Sequence, residues 1–111
     1  MSNFNKKLSI IIPVYNEKHT IQKLLNKINK LEDIDKEIII VNDASNDGTD
    51  IILKKNKKNI SHLKNHKKNQ GKGAAIQTAW KFISGAIVII QDGVLEYEPS
   101  DYRKLMNEIF K

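Results

Sequence analysis

The sequence is 111 residues long, 40% hydrophobic and without cysteine. That length suits one small domain, the apolar content supports a packed core and excludes a largely disordered chain, and the absence of thiols excludes disulfides and thiolate metal sites and fits a reducing compartment. The formal net charge is +6, and eight lysines lie between positions 51 and 72 with no acid and no Phe, Tyr or Trp among them.

A basic stretch of this kind attracts anions in general. This one offers nothing for a base to stack on, so it reads as a solvated helix face and loop, and no nucleic-acid partner is expected. Lys6 and Lys7 precede the first apolar run. That run has the length of a strand and stops at Pro13 and Asn16, short of a signal peptide or a membrane span.

Residues 6–14 read as the first strand, because Ile10, Ile11 and Ile12 are consecutive, the pattern of a strand covered on both faces. Tyr15, Asn16 and Glu17 form the loop after it. Residues 19–31 read as a helix with Ile21, Leu24, Leu25, Ile28 and Leu31 on one stripe, and with Asn16 or Thr20 as its N-cap. Residues 37–41 form the second strand, which runs into Asn42, Asp43, Ala44 and Ser45. Asp47, with Asp50 three residues on, marks the next helix start. That helix carries Ile51, Ile52 and Leu53 and then dissolves into lysine and asparagine. Residues 60–64 form a third, weaker strand. The turn at 69–73 opens a helix over 74–83, with Ala75, Ile76, Ala79, Trp80 and Ile83 as its inward stripe and Gly85 as the residue that ends it. Residues 87–91 form the fourth strand, and Pro99 starts a last helix whose apolar face is Tyr102, Leu105, Met106, Ile109 and Phe110. Strands apolar on both faces, alternating with helices, predict a Rossmann-like α/β fold: one domain over 1–111, with a parallel sheet and helices on both faces.

Ligands of such sheets bind beyond the carboxyl ends of the strands. Polar clusters follow the strands directly at Tyr15-Asn16-Glu17, Asn42-Asp43 and Gln91-Asp92. The Asp43 carboxylate only accepts hydrogen bonds, which suits the imino N–H of uracil or guanine. Tyr15 can cover the face of that base, and Asp92 can reach a divalent cation or a sugar hydroxyl. Gly71-Lys72-Gly73 at a helix N-terminus favours an anion such as a diphosphate, without the spacing of a P-loop. Each residue has a plainer alternative. Asp and Asn are ordinary turn formers, Tyr15 can simply pack, Glu17 can favour the start of the following helix, and Trp80 reads as core. His19, His62 and His66 show no metal-ligand spacing and read as surface residues. The conjunction of polar clusters at successive strand ends carries the functional reading.

Four stretches, IIPVYNE (11–17), VNDASNDGT (41–49), NQGKGAAI (69–76) and QDGVLEYEP (91–99), stand in the order and spacing of family 2 glycosyltransferases with the GT-A fold. From about residue 8 to residue 102 the chain resembles the dolichol- or undecaprenyl-phosphate sugar transferases of that family. The resemblance implies a UDP- or GDP-sugar donor, Mg²⁺ or Mn²⁺, and transfer by in-line displacement to an acceptor such as a polyprenyl phosphate. It implies that Pro13, Tyr15 and Glu17 line the nucleotide pocket, that Val41 and Asp43 hold the base, and that Lys72 lies near the nucleotide. It makes Asp92 a nucleotide and metal contact, the first carboxylate of an Asp-x-Asp motif that holds the cation against the diphosphate.

Val94 stands where that motif has its second carboxylate, and a hydrocarbon side chain cannot ligate a metal. The family's acceptor site and catalytic base belong to parts of the domain that follow these motifs, so no catalytic residue is assigned. The expectation is a truncated nucleotide-binding half with little or no transferase activity by itself; the alternative is an inactive relative that binds nucleotide or oligomerises. Edge strands left uncovered in a truncated sheet predict a homo-oligomer. The basic segment suits an anionic bilayer, so the expected location is cytoplasmic and peripheral at the membrane.

Overall fold

The computed structural model describes residues 6–91 and 98–109. Strands β1 (Leu8–Val14), β2 (Lys36–Asn42), β3 (His62–Asn65) and β4 (Ile87–Ile90) form one sheet in the order β3-β2-β1-β4. All of its pairings are parallel. Helices α1 (Ile21–Asn29), α2 (Thr49–Lys55), α3 (Lys72–Trp80) and α4 (Asp101–Ile109) connect or follow the strands, and a 3₁₀ turn occupies Lys57–Asn59. The predicted α/β architecture therefore holds.

Successive side chains of a strand face opposite sides, and both sides of β1 and β2 are buried. Ile10, Ile12 and Val14 of β1 and Ile38 and Ile40 of β2 share one cluster with Ile21, Leu24, Leu25 and Ile28 of α1, Leu53 of α2 and Tyr102 of α4. Ile11, Ile39 and Val41 share the other with Ala75 and Ala79 of α3. One helix thus covers one face, and its two alanines let it lie close to the sheet. In the register of β1 with β2, Ile10 pairs with Ile38 and Ile12 with Ile40. Among the described residues neither β3 nor β4 has a strand partner on its outer side. Among the described residues no helix is long and apolar enough to cross a membrane.

Several expectations are corrected. Trp80, read as core, is 59% exposed. The helix starts at Lys72 and buries only Ala75 and Ala79 fully, so the inward face is narrower than the predicted stripe, and Trp80, one residue round from Ala79, ends the helix facing water. Gly85 does not end α3, whose C-cap is Lys81. Glycine is required there for another reason: a Cβ would stand 2.6 Å from the Lys7 carbonyl oxygen and 2.6 Å from Ser9 Oγ. Asp47 precedes the cap of α2 by one residue; Gly48 takes the cap position at φ 102°, and Asp47 Oδ1 accepts the Thr49 N–H at 3.0 Å. On α4, Tyr102 is buried and Met106 packs against the core, but Leu105 is exposed. The Ile109 side chain and Phe110 lie outside the description.

Glu37, read only as the first residue of a strand, is a buried carboxylate. It follows the alternation of β2 onto the α3 face, at the amino end of the strands. Oε2 accepts the Ser9 hydroxyl at 2.6 Å and the Ser84 N–H at 2.6 Å, and Oε1 accepts the Ser84 hydroxyl at 2.9 Å. Lys7 Nζ lies 3.6 Å from Oε1, and the Gly85 N–H donates to Ser9 Oγ at 2.8 Å. Burial pushes this carboxyl up, but the donations from Ser9 and Ser84, with Lys7 nearby, outweigh it and hold it below its ordinary value. The network ties the connection between α3 and β4 to the sheet.

Candidate functional site

At the other end of the sheet, β1 runs into Tyr15, β2 into Asp43 and β3 into His66. The strands end nearly level, with Val14 opposite Asn42 and Asn42 opposite Asn65. The ladder continues one bond further, from the Asp43 N–H to the Val14 carbonyl at 2.8 Å and from the His66 N–H to the Asn42 carbonyl at 2.9 Å. Asp43 extends the alternation Glu37, Ile39, Val41 and so turns toward α3.

Asp43 is 3% exposed and is the hub of the site. Its Oδ1 lies 2.8 Å from His66 Nδ1 and accepts the Gln70 N–H at 2.9 Å; Oδ2 accepts the Gly71 N–H at 2.8 Å. The far ring nitrogen of His66, Nε2, lies 2.8 Å from Thr78 Oγ1 on α3. An ionised carboxylate cannot donate, so Nδ1 carries the proton in the bond to Asp43. Burial pushes the Asp43 carboxyl up, but the bonds from His66, Gln70 and Gly71 outweigh it, and the group sits below its ordinary range. It is an anion held at the start of α3, where the helix dipole also favours it.

This arrangement corrects two expectations. His66 is not a surface residue: its side chain is 9% exposed and bridges β2 and α3. The signal that could have found it is its place directly after β3, matching Tyr15 after β1 and Asp43 after β2. The Gly71 N–H, expected to meet an external anion, is taken by Asp43.

The loops after β1 and β2 are laced together. Asn16 donates its N–H to Ser45 Oγ at 2.9 Å, and its Oδ1 accepts the Asn46 N–H at 2.8 Å. The Glu17 N–H reaches Thr49 Oγ1 at 3.0 Å, and Glu17 Oε2 accepts the Thr20 hydroxyl at 2.8 Å. These turns use positive φ at Asn16 (52°) and at Ala44 (62°). Asparagine tolerates that region, whereas alanine pays about 1–2 kcal/mol for it. Ala44→Gly is expected to raise stability by about 0.5–1 kcal/mol, since relief of strain exceeds the entropy that glycine loses on folding. Urea denaturation checks this; an unchanged or lower midpoint contradicts it.

Pro13, Val14, Tyr15, Glu17, Asp43, Lys72 and Ala75 line a cavity of about 120 Å³. It brings together Pro13, Tyr15, Glu17, Asp43 and Lys72 of the predicted set. Val41 is fully buried among Ile11, Ile39, Ala75 and Ala79, beneath the cavity rather than in its wall. Tyr15 is 46% exposed at the rim. The volume is below the roughly 300–1,000 Å³ of pockets that enclose a whole ligand, so it suits one ring with the rest of a molecule lying outside. A larger, mostly apolar groove of about 540 Å³ runs along β4 and α4, lined by Ile89, Ile90, Tyr102 and Leu105 among others, and its described lining includes none of the predicted residues.

Gln91, predicted at the ligand edge, is fully buried, and its Oε1 accepts the Tyr102 hydroxyl at 2.5 Å. It belongs to the core beneath α4, where burial also drives the Tyr102 phenol above its ordinary range. Asp92 and Val94 lie outside the described residues. Among the described residues no three of His, Cys, Asp and Glu converge on a point where a metal could sit. Asp43 and Glu17 already accept bonds within the chain. The described residues do not make a cation site, and no step is assigned to a metal.

The family model for "Glycosyl transferase family 2" matches residues 9–111. A dolichyl-phosphate beta-glucosyltransferase of Trichomonas vaginalis is 35% identical over 112 aligned residues, covering 92% of this chain and 35% of that protein. The crystal structure of S. aureus TarS 1–349 in complex with UDP-GlcNAc superposes with a TM-score of 0.79 at 25% identity, covering 94% of this chain and 31% of that one. The mannosyltransferase PcManGT from Pyrobaculum calidifontis, in complex with GDP-Man and Mn²⁺, superposes with a TM-score of 0.79 at 26% identity, covering 96% and 32%. The chain spans about a third of the length of these relatives.

Proposed function

The chain belongs to glycosyl transferase family 2, and from that premise we propose that the cavity between Tyr15, Asp43 and Lys72 binds the base end of a nucleotide-sugar donor. The observation that carries the reading is the meeting of three complementary groups at one opening: an exposed aromatic ring, a buried ionised acceptor and an exposed lysine. Tyr15 covers the base, Asp43 accepts its imino N–H, and Lys72 offsets charge on the diphosphate. Pro13 and the Glu17–Thr20 bond fix the loop that carries Tyr15. The acceptor class is a polyprenyl phosphate, as the name of the Trichomonas relative indicates for that protein, and the chain's place is the cytoplasm, peripheral at a membrane.

Isothermal calorimetry with UDP and with GDP, each with and without Mn²⁺, tests the reading. Saturable heat with at least one nucleotide is expected; no heat with either leaves a structural role. Val94 in place of a second acid favours binding without efficient transfer. The purified chain is expected to release negligible nucleoside diphosphate from UDP- or GDP-sugars in the presence of a polyprenyl phosphate. Metal-dependent turnover abolished by Asp92→Asn would contradict that expectation.

A further inference from the structure

The two oxygens of Asp43 are not equally occupied. An ionised carboxylate offers about four acceptor positions, two on each oxygen. Oδ1 has both of its positions filled, by His66 Nδ1 and the Gln70 N–H, while among the described residues Oδ2 accepts only the Gly71 N–H. His66 is fixed from behind by Thr78 and is largely buried. Asp43 therefore turns one open acceptor toward the cavity that it shares with Tyr15.

Resting on the nucleotide-site reading above, we propose that His66 makes Asp43 a reader of a single N–H, so that the site takes a uracil-type base and discriminates against guanine. Uracil presents one imino N–H between two carbonyls, which one open acceptor satisfies. Guanine presents an imino and an amino N–H side by side and pairs fully only with a carboxylate that has both oxygens open. With Oδ1 filled, its amino group meets a saturated atom and a donor is left unpaired. Adenine and cytosine place a ring-nitrogen acceptor at this point, which a carboxylate repels. The cavity volume of about 120 Å³ favours the smaller pyrimidine in the same direction. His66 is a positioning residue: it touches Asp43 and does not touch the base.

Calorimetric titration of the full chain with UDP, IDP and GDP tests this. IDP differs from GDP only by lacking the 2-amino group, so that pair separates donor count from ring size. UDP is expected to bind tightest, and IDP at least about tenfold more tightly than GDP, the scale of one unpaired buried donor. His66→Ala opens Oδ1 and is expected to narrow the IDP–GDP gap to roughly threefold or less. His66→Gln keeps an N–H for Oδ1 and is expected to keep the gap. A variant that merely loosens the fold weakens all three nucleotides alike and leaves the gap unmoved. That result, or GDP binding as tightly as IDP to the unmodified chain, overturns the proposal. Failure of the unmodified chain to bind any of the three overturns the nucleotide-site reading, and this proposal falls with it.

Discussion

Asp43→Ala is expected to abolish nucleotide binding and to lower stability by about 3 kcal/mol, a fall in melting temperature of roughly 10–20 °C. The binding loss follows from removing the acceptor proposed for the base. The stability loss follows from what Asp43 holds: truncation leaves the Gln70 and Gly71 N–H groups and the His66 Nδ1–H without their partner, and these donors sit where α3 meets the sheet. The same carboxylate also gives a pH dependence. In the unfolded chain it takes up a proton near its ordinary value of 3.8, and in the fold it does so lower. Between those values the unfolded state binds more protons. The contribution is therefore complete above the ordinary value and is lost as pH falls through the folded one. The urea midpoint is expected to fall below about pH 4 in the unmodified chain and to fall less steeply in Asp43→Ala. Identical acid slopes in the two proteins would contradict the assignment.

Glu37→Ala is expected to cost a similar amount, about 3 kcal/mol, with the base pocket left intact. Glu37 lies on the same strand and the same face as Asp43 but at the opposite end. There it gathers Ser9, Ser84 and Lys7. Losing it removes the acceptor that Ser9 and Ser84 share and the anion beside Lys7. Its carboxyl, too, sits below its ordinary 4.5 in the fold, so its contribution is present above that value and fades as pH drops below it. The two carboxylates bracket α3, Asp43 at the start of the helix and Glu37 at the connection that follows it. The pair of variants separates anchoring from ligand recognition. Both lower the denaturation midpoint, but only Asp43→Ala removes nucleotide binding at a temperature where the chain is folded. Loss of binding in folded Glu37→Ala would contradict the division of roles.

The architecture was legible because β1 and β2 carry uninterrupted isoleucine runs and α1 carries a clean stripe, and such patterns dominate where burial is complete. Tyr15, Asp43 and Lys72 were legible because strand ends and a glycine turn announce themselves locally. What escaped depended on pairings between distant segments. His66 follows a short strand with little apolar signal, and its role exists only because β3 lies beside β2 and α3 crosses above. Glu37 looked like the polar start of a strand until Ser84, 47 residues later, came to rest on it. Trp80 faces water despite its spacing, because helical spacing tells which residues share a face and not how wide a face the neighbouring sheet covers. At Gly85 the constraint is a close approach to Lys7 and Ser9 rather than a turn, and that approach exists only once the sheet has formed.

The carboxyl edge of β1 and β2, closed by the start of α3, is the proposed nucleotide site. Its most direct test is a titration of the ¹⁵N-labelled chain with UDP, followed by amide chemical shifts. The expected result is saturable shifts centred on Tyr15, Asn16, Asp43, Ala44 and Lys72, with the lysines at positions 54, 55, 57 and 58 unmoved. Shifts confined to those lysines, or no shifts at all, would contradict it.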